Sequence, residues 1–569
     1  MHFIDITVII LYLLGITFLG IKIGKRIKAS SEFFMPRRFG KGMMMMHAFG
    51  TGTASDQAVV VSSASFKNGI SGIWFQWLWL FCTPFYWLIA PIFRRLRAIT
   101  TADVYALRFG PSVAVLFAII GVIGLSLKIG LMLKGAGALI DAGTDGAVSS
   151  NFAIPTVALL FVIYGAAGGM SAAIITDYIQ GILTIVFSFI LLPFVLQAVG
   201  GINGVRELVN DPSKMSLVAP EKIGIFFIIA FGINSLFLIV SQPFIMGVCS
   251  TGRTEMDGRF GFVVGNLIKR VCTAAWAITG LAALAYFIKE GTIISQVDAD
   301  RVYGQMAKEF LPNIMPGLLG LFIAALLAGV MSSCDSFMIS SSALFTENLY
   351  KPIFKDRNPT HYLKIARIAS VFIVGFGLIF AYSMDGVVSG LKSWLKFGAP
   401  LGIGFWLGLF WRRFNAAGVW VSTITAYLCW WMTTQQFFIS FLKSFSINEK
   451  WGVLRLVKGS YVIYEPYQIT FYLSLAILGG IMASLATRKP NKEKIQLYHD
   501  LISTPVKEGE IILKPCTLPE GTVPPSRKKW FSNTSFEICA PSKISYAGFI
   551  LSWVAVALMV LAFMYIVKP

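Results

Sequence analysis

Residues 47–61 read HAFGTGTASDQAVVV, and residues 231–247 read FGINSLFLIVSQPFIMG. Both sit in apolar surroundings that otherwise read as membrane spans, and neither can stay helical throughout. In the first, Gly50, Thr51, Gly52 and Thr53 are four poor helix formers in a row, with Asp56 three residues on. In the second, Gly232, Asn234, Ser241 and Gln242 precede Pro243, which removes an amide donor in mid-membrane. Carbonyls freed at such breaks can coordinate a cation, and paired breaks in two halves of a chain point to a binding site at the bilayer midplane. Glycines that only let helices pack closely explain one such position but not the pair.

The surroundings support a membrane reading. The 569 residues are 56% hydrophobic and 13% charged, where soluble domains carry about a quarter charged residues. Runs long enough to cross ~30 Å of hydrocarbon fall near 3–21, 42–66, 72–93, 112–141, 153–172, 177–199, 222–247, 262–287, 314–347, 363–384, 388–411, 416–441, 466–486 and 544–566, about fourteen spans of an all-α polytopic protein. The run at 3–21 has no small-residue cleavage site and reads as a retained span.

The net charge of +20 would suggest nucleic acid in a soluble protein, but here it is gathered in loops. Basic loops at 22–41, 94–108 and 351–367 alternate with mixed-sign loops at 200–221 and 288–313. The positive-inside rule then sets 488–543 in the cytoplasm and both termini outside a cell inner (plasma) membrane. Membrane lipid and a small-molecule substrate are the expected partners, nucleic acid is not, and a monomer suffices.

The spans divide the chain into a peripheral first helix and basic loop (1–41), two sets of five (42–199 and 222–411), peripheral helices (412–487), a polar proline-rich segment (488–543) and a last helix (544–569). Five is odd, so the second set runs through the membrane in the opposite sense, an inverted repeat. The 488–543 segment, low in aromatic residues, reads as a partly ordered linker to the last helix or else as a small cytoplasmic subdomain.

Residues 329–342, GVMSSCDSFMISSS, carry six serines and an aspartate inside the 314–347 span. On a helix Gly329, Ser332, Ser333 and Ser336 share one face, with Asp335 at its edge. A single buried serine bonds back to the carbonyl a turn earlier. Six with an acid exceed that, and an intramembrane carboxylate is a functional-site hypothesis by default. Hydroxyls, carbonyls and one carboxylate suit a hard cation such as sodium. The seven cysteines show no CxxC spacing and the four histidines are scattered, which argues against a zinc site or a disulfide framework.

These residues carry a family resemblance. GLFIAALLAGVMSSCDSFMISSSALFTENLY, YGAAGGMSAAIITDYIQG at 164–181 and TTADVYALRFGP at 100–111 resemble the sodium/solute symporters, the sodium-coupled carriers of sugars, sialic acid, proline and iodide. The resemblance covers roughly 30–485 and implies the leucine-transporter-type fold with two inverted five-helix repeats. It implies a shared sodium site of the carbonyls of Gly50, Thr53 and Gly329 and the hydroxyls of Ser332 and Ser333. Gly329 and Thr53 depart from the usual alanine and aliphatic residue, mildly, since both supply backbone oxygen. A second sodium, held in some relatives, implies Asp177, Ser332, Asp335 and Ser336, with Asp335 standing where a hydroxyl is typical.

For the solute the resemblance implies Gln57 and Gln76, with Trp79, Ser241 and Phe244 as further candidates. Lys392 stands where sugar-carrying relatives have a glutamine. Lys128 and Lys134 lie on the helix where the sialic acid relative has an arginine. A lysine in a span snorkels, pairs or binds an anion, and Lys128 has Asp56 or Asp335 as prospective partners. The expectation is therefore a sodium-coupled symporter of a sugar or sugar acid, or else of a carboxylate or amino acid. An ion channel explains intramembrane polar residues but not paired helix breaks. An enzyme lacks a nucleophile–base set, and no P-loop is present to take ATP.

Overall fold

The computed structural model describes residues 2–24, 33–51, 53, 55–219, 223–445, 451–457, 459–507, 509–510, 512, 514–526, 528–531 and 534–568. Gly52 of the first break, Lys25, Arg26 and Lys28 of the first basic loop, and the side chain of Tyr164 lie outside the described residues. Among the described residues eight helices are long and apolar enough to cross a membrane, nine if one bent pair is a single span. Phe3–Leu19 and Ser150–Ile163 are shorter apolar helices. Among the described residues the one sheet is a hairpin of Leu454–Val457 against Ser460–Ile463.

Both helix breaks form. Helix Lys41–Gly50 stops, Thr51 turns to extended backbone (φ −60°, ψ 109°), and helix resumes over Ser55–Asn68. Helices Ile225–Ser241 and Pro243–Ser250 meet at 63° around an extended Gln242. Pro243 opens the second of these, where its missing N–H is no loss.

A third break corrects the sequence reading. The boundary expected between 153–172 and 177–199 falls instead at Gly169, which takes φ 56° inside helix Ser150–Ile190. A glycine in that region turns the chain without a loop, so no polar stretch marks the place.

Helix Leu318–Ala343 is buried almost from end to end, its serines and Asp335 included. It packs between helices Ser150–Ile190 and Pro111–Gly143. The first broken helix lies against helix Glu255–Lys289. A Cβ at Gly265 would come within 2.5 Å of the Met45 carbonyl, so a glycine permits backbone contact. On the periphery Leu159, Phe372, Ile379, Leu558 and Leu561 expose apolar side chains, the surface a bilayer covers.

The 488–543 segment carries ordered parts. Helix Lys492–Ser503, capped by Asn491, buries Tyr498 and Leu501. Glu510 pairs with Arg97 at 2.5 Å. Glu537 receives Lys529 at 2.6 Å and also Arg412. These ion pairs tie the segment to the helical core.

Candidate ion and solute site

The first break faces helix Leu318–Ala343. The Ser333 hydroxyl donates to the Gly50 carbonyl at 2.9 Å, and the Thr53 amide donates to the same oxygen at 2.9 Å. The Thr53 hydroxyl bonds back to the Phe49 carbonyl. Gly329, one turn before Ser332, is buried with it.

Ser332 Oγ, Ser336 Oγ and both carboxylate oxygens of Asp335 are buried without a protein partner. Orphaned buried polar atoms are uncommon in folded proteins, and these four share one stretch of one helix. Asp177 abuts the break, since a Cβ on Gly50 would lie 3.2 Å from Asp177 Cβ. Its Oδ2 stands 2.5 Å from His47 Nδ1, and its Oδ1 has no partner. The donor set is oxygen-rich and mostly neutral, which suits a monovalent hard cation. Among the described residues no three His, Cys, Asp or Glu side chains gather to hold a metal.

Beside the breaks is a cavity of about 50 Å³. Gln57, Gln76, Trp79, Lys128 and Phe244 of the expected solute set line it. Phe244 packs on Phe337 with centroids 4.6 Å apart, and Trp79 faces Trp394 at 6.1 Å. Lys128 Nζ reaches Asp56 Oδ2 at 2.8 Å and lies 4.9 Å over the Trp394 ring, so of the two prospective partners the structure selects Asp56.

Two expected residues fall elsewhere. Ser241 is spent on the Leu238 and Gly398 carbonyls, at 2.9 and 2.7 Å, one on its own helix and one on helix Val387–Phe410. Lys392 turns out of the cavity and pairs with Glu465 at 2.8 Å, both about a quarter exposed. Its neighbours Leu391 and Trp394 line the cavity instead. Lys134 bonds the Met384 carbonyl at 2.6 Å.

Helix Glu255–Lys289 contributes residues the sequence reading missed. Asn266, Lys269 and Arg270 line the cavity. Lys269 donates to the Thr51 carbonyl at 3.0 Å, and Arg270 to the backbone and side-chain oxygens of Gln76 at 2.6 and 3.1 Å. Two adjacent cations inside the 262–287 span were the available signal.

A helical membrane protein with two broken helices meeting at a polar cavity has the construction of a secondary transporter. A model of the sodium:solute symporter family matches residues 33–426, and the chain belongs to that family, whose coupling ion is sodium. Over 457 residues it is 24% identical to the osmoregulated proline transporter of Bacillus subtilis, covering 77% of this chain and 85% of the relative. To sodium/glucose cotransporter 1 of Oryctolagus cuniculus it is 22% identical, over 74% of this chain and 70% of that one. To the sodium/pantothenate symporter of Escherichia coli it is 24% identical, over 68% and 81%. Among solved structures, a substrate-bound, outward-open sodium-coupled sialic acid symporter matches with a TM-score of 0.69 at 17% identity, over 86% of this chain and 99% of that one. A nucleobase-cation-symport-1 family transporter, closed around bromovinylhydantoin, matches at 0.54 and 11% identity, over 82% and 98%. The fold is of the leucine-transporter type.

Proposed function

We propose that this chain carries a small polar organic solute, a sugar or a sugar acid, into the cell with sodium by alternating access. The observation that carries the reading is the meeting of Ser333 with the Gly50 carbonyl beside the unpartnered oxygens of Ser332, Asp335 and Ser336. Gly50, Thr53, Gly329, Ser332 and Ser333 form the shared sodium site. Asp177, Ser332, Asp335 and Ser336 form a second. The cavity lined by Gln57, Gln76, Trp79, Lys128 and Phe244 also takes Thr51 and Phe337 into its wall, the chain neighbours of Gly50 and Ser336, so ion and solute share the first broken helix. Relatives named for proline, glucose and pantothenate support a polar organic cargo.

The matched pair of helix breaks supports repeats at 42–199 and 222–411 within about fourteen spans, flanked by segments 1–41, 412–487, 488–543 and 544–569. The basic loops favour a plasma membrane orientation with both termini outside, and one chain holds the whole site. Uptake of labelled sugars, uronates, carboxylates and amino acids into proteoliposomes under a sodium gradient tests the reading. Accumulation above equilibrium supports it, and equilibration alone would favour a channel.

A further inference from the structure

We propose that the solute carries a carboxylate, held by Lys269 and Arg270, and at least one hydroxyl or ammonium group, read by Gln57. This rests on the reading of the central cavity as the solute site. Both cations are nearly fully buried and line that cavity. Among the described residues no carboxylate lies within the 4.0 Å of an ion pair from either one. Every other cation lining the cavity is compensated, since Lys128 is matched by Asp56.

An unpaired buried charge is destabilising unless something offsets it, and carbonyl contacts to Thr51 and Gln76 offset two buried charges only in part. Arg270 also keeps its Nε without a protein partner, leaving part of its donor fork for an incoming anion. Two further lining atoms are orphaned: Gln57 Oε1, an acceptor, and Gln242 Nε2, a donor. They flank the two helix breaks. The cavity therefore offers two positive donors, one neutral donor and one acceptor, between the indoles of Trp79 and Trp394. A neutral sugar would leave the charges unmatched. A hydroxylated or amino carboxylate satisfies the cations with its acid and Gln57 with its own donor.

The test uses the full chain in proteoliposomes with matched pairs: D-glucuronate against D-glucose, glycerate against glycerol, and proline against prolinamide. Sodium-driven uptake of an acid without its neutral partner is expected. Lys269→Gln and Arg270→Gln should each weaken that acid about ten- to a hundredfold, the range of a charge-assisted hydrogen bond, while Arg270→Lys retains part of the affinity. Sodium-dependent thermal stabilisation of the variants shows that they fold and keep the cation site. Uptake of neutral members with acids ignored overturns the proposal and leaves the symporter standing. So does an equal loss for acid and neutral solutes in the glutamine variants, the mark of a purely structural role. No sodium-driven uptake of any member overturns the solute-symport reading itself.

Discussion

Lys128 Nζ sits 2.8 Å from Asp56 Oδ2, with both side chains at most 4% exposed. The pair links helix Pro111–Gly143 to the restart of the first broken helix. Removing one partner leaves an uncompensated charge in a water-poor core. Asp56→Asn or Lys128→Met alone is expected to destabilise the protein by about 3–5 kcal/mol, and the double variant to recover much of that loss. Thermal stability of the three purified proteins, compared as a cycle, measures the coupling.

Ser332 and Ser333 should separate in the same kind of assay. The Ser332 hydroxyl has no protein partner, so Ser332→Ala is expected to leave stability intact while raising the sodium concentration for half-maximal uptake about tenfold. Ser333→Ala loses its bond to Gly50 as well, at about 0.5–1.5 kcal/mol. Unchanged sodium dependence in both variants removes the shared site from these residues.

Among the described residues Asp335 has no ion-pair partner, and neither oxygen accepts a protein hydrogen bond. Asp335→Ser is therefore expected to lower the number of sodium ions carried per solute without ending transport. The ratio of labelled sodium to labelled solute entering proteoliposomes reports it, and a constant ratio excludes Asp335 from a cation site.

Lys392 pairs with Glu465 at the half-exposed rim. Exposed pairs contribute about 0–1 kcal/mol, so Lys392→Gln should change stability little and leave the ratio of acid to neutral uptake as in the wild type. A selective loss of acid uptake would return Lys392 to the solute site.

His499 gives the 488–543 segment a pH dependence. Burial, aided by Arg108, Arg412 and Lys529, pushes its imidazole down to about 3, whereas an unfolded histidine titrates near 6.5. As pH falls below that value the unfolded segment takes up a proton that the folded one refuses, so stability is lost between about 6.5 and 3. At pH 5 the loss is ~2 kcal/mol. Limited proteolysis of the segment at pH 5 and 7.5 should show it, and His499→Met should flatten the response.

The fold was legible because its decisive features are compositional. The glycine and threonine run at 50–53 and Pro243 cannot continue a helix, and six serines with an aspartate at 332–342 exceed what back-bonding in a span accounts for. Gly169 escaped because one left-handed residue leaves no polar trace. The lining of the central cavity was half legible. Gln57, Gln76 and Lys128 follow the breaks in sequence. The fate of Lys392 was set by Glu465, 73 residues away, and the place of Lys269 and Arg270 by which face of helix Glu255–Lys289 meets the cavity. Both are decided by tertiary contact.

The bare carboxylate of Asp335 also bears on what the membrane potential can do. One sodium travelling with one monocarboxylate makes a neutral cargo, and voltage then adds nothing to its accumulation. A second sodium held by Asp335 makes the cargo positive, and each 100 mV contributes about 2.3 kcal/mol per charge moved. With Asp335 as a sodium ligand, a single side chain would set whether the cell's electrical gradient, or only its salt gradient, drives the solute inward.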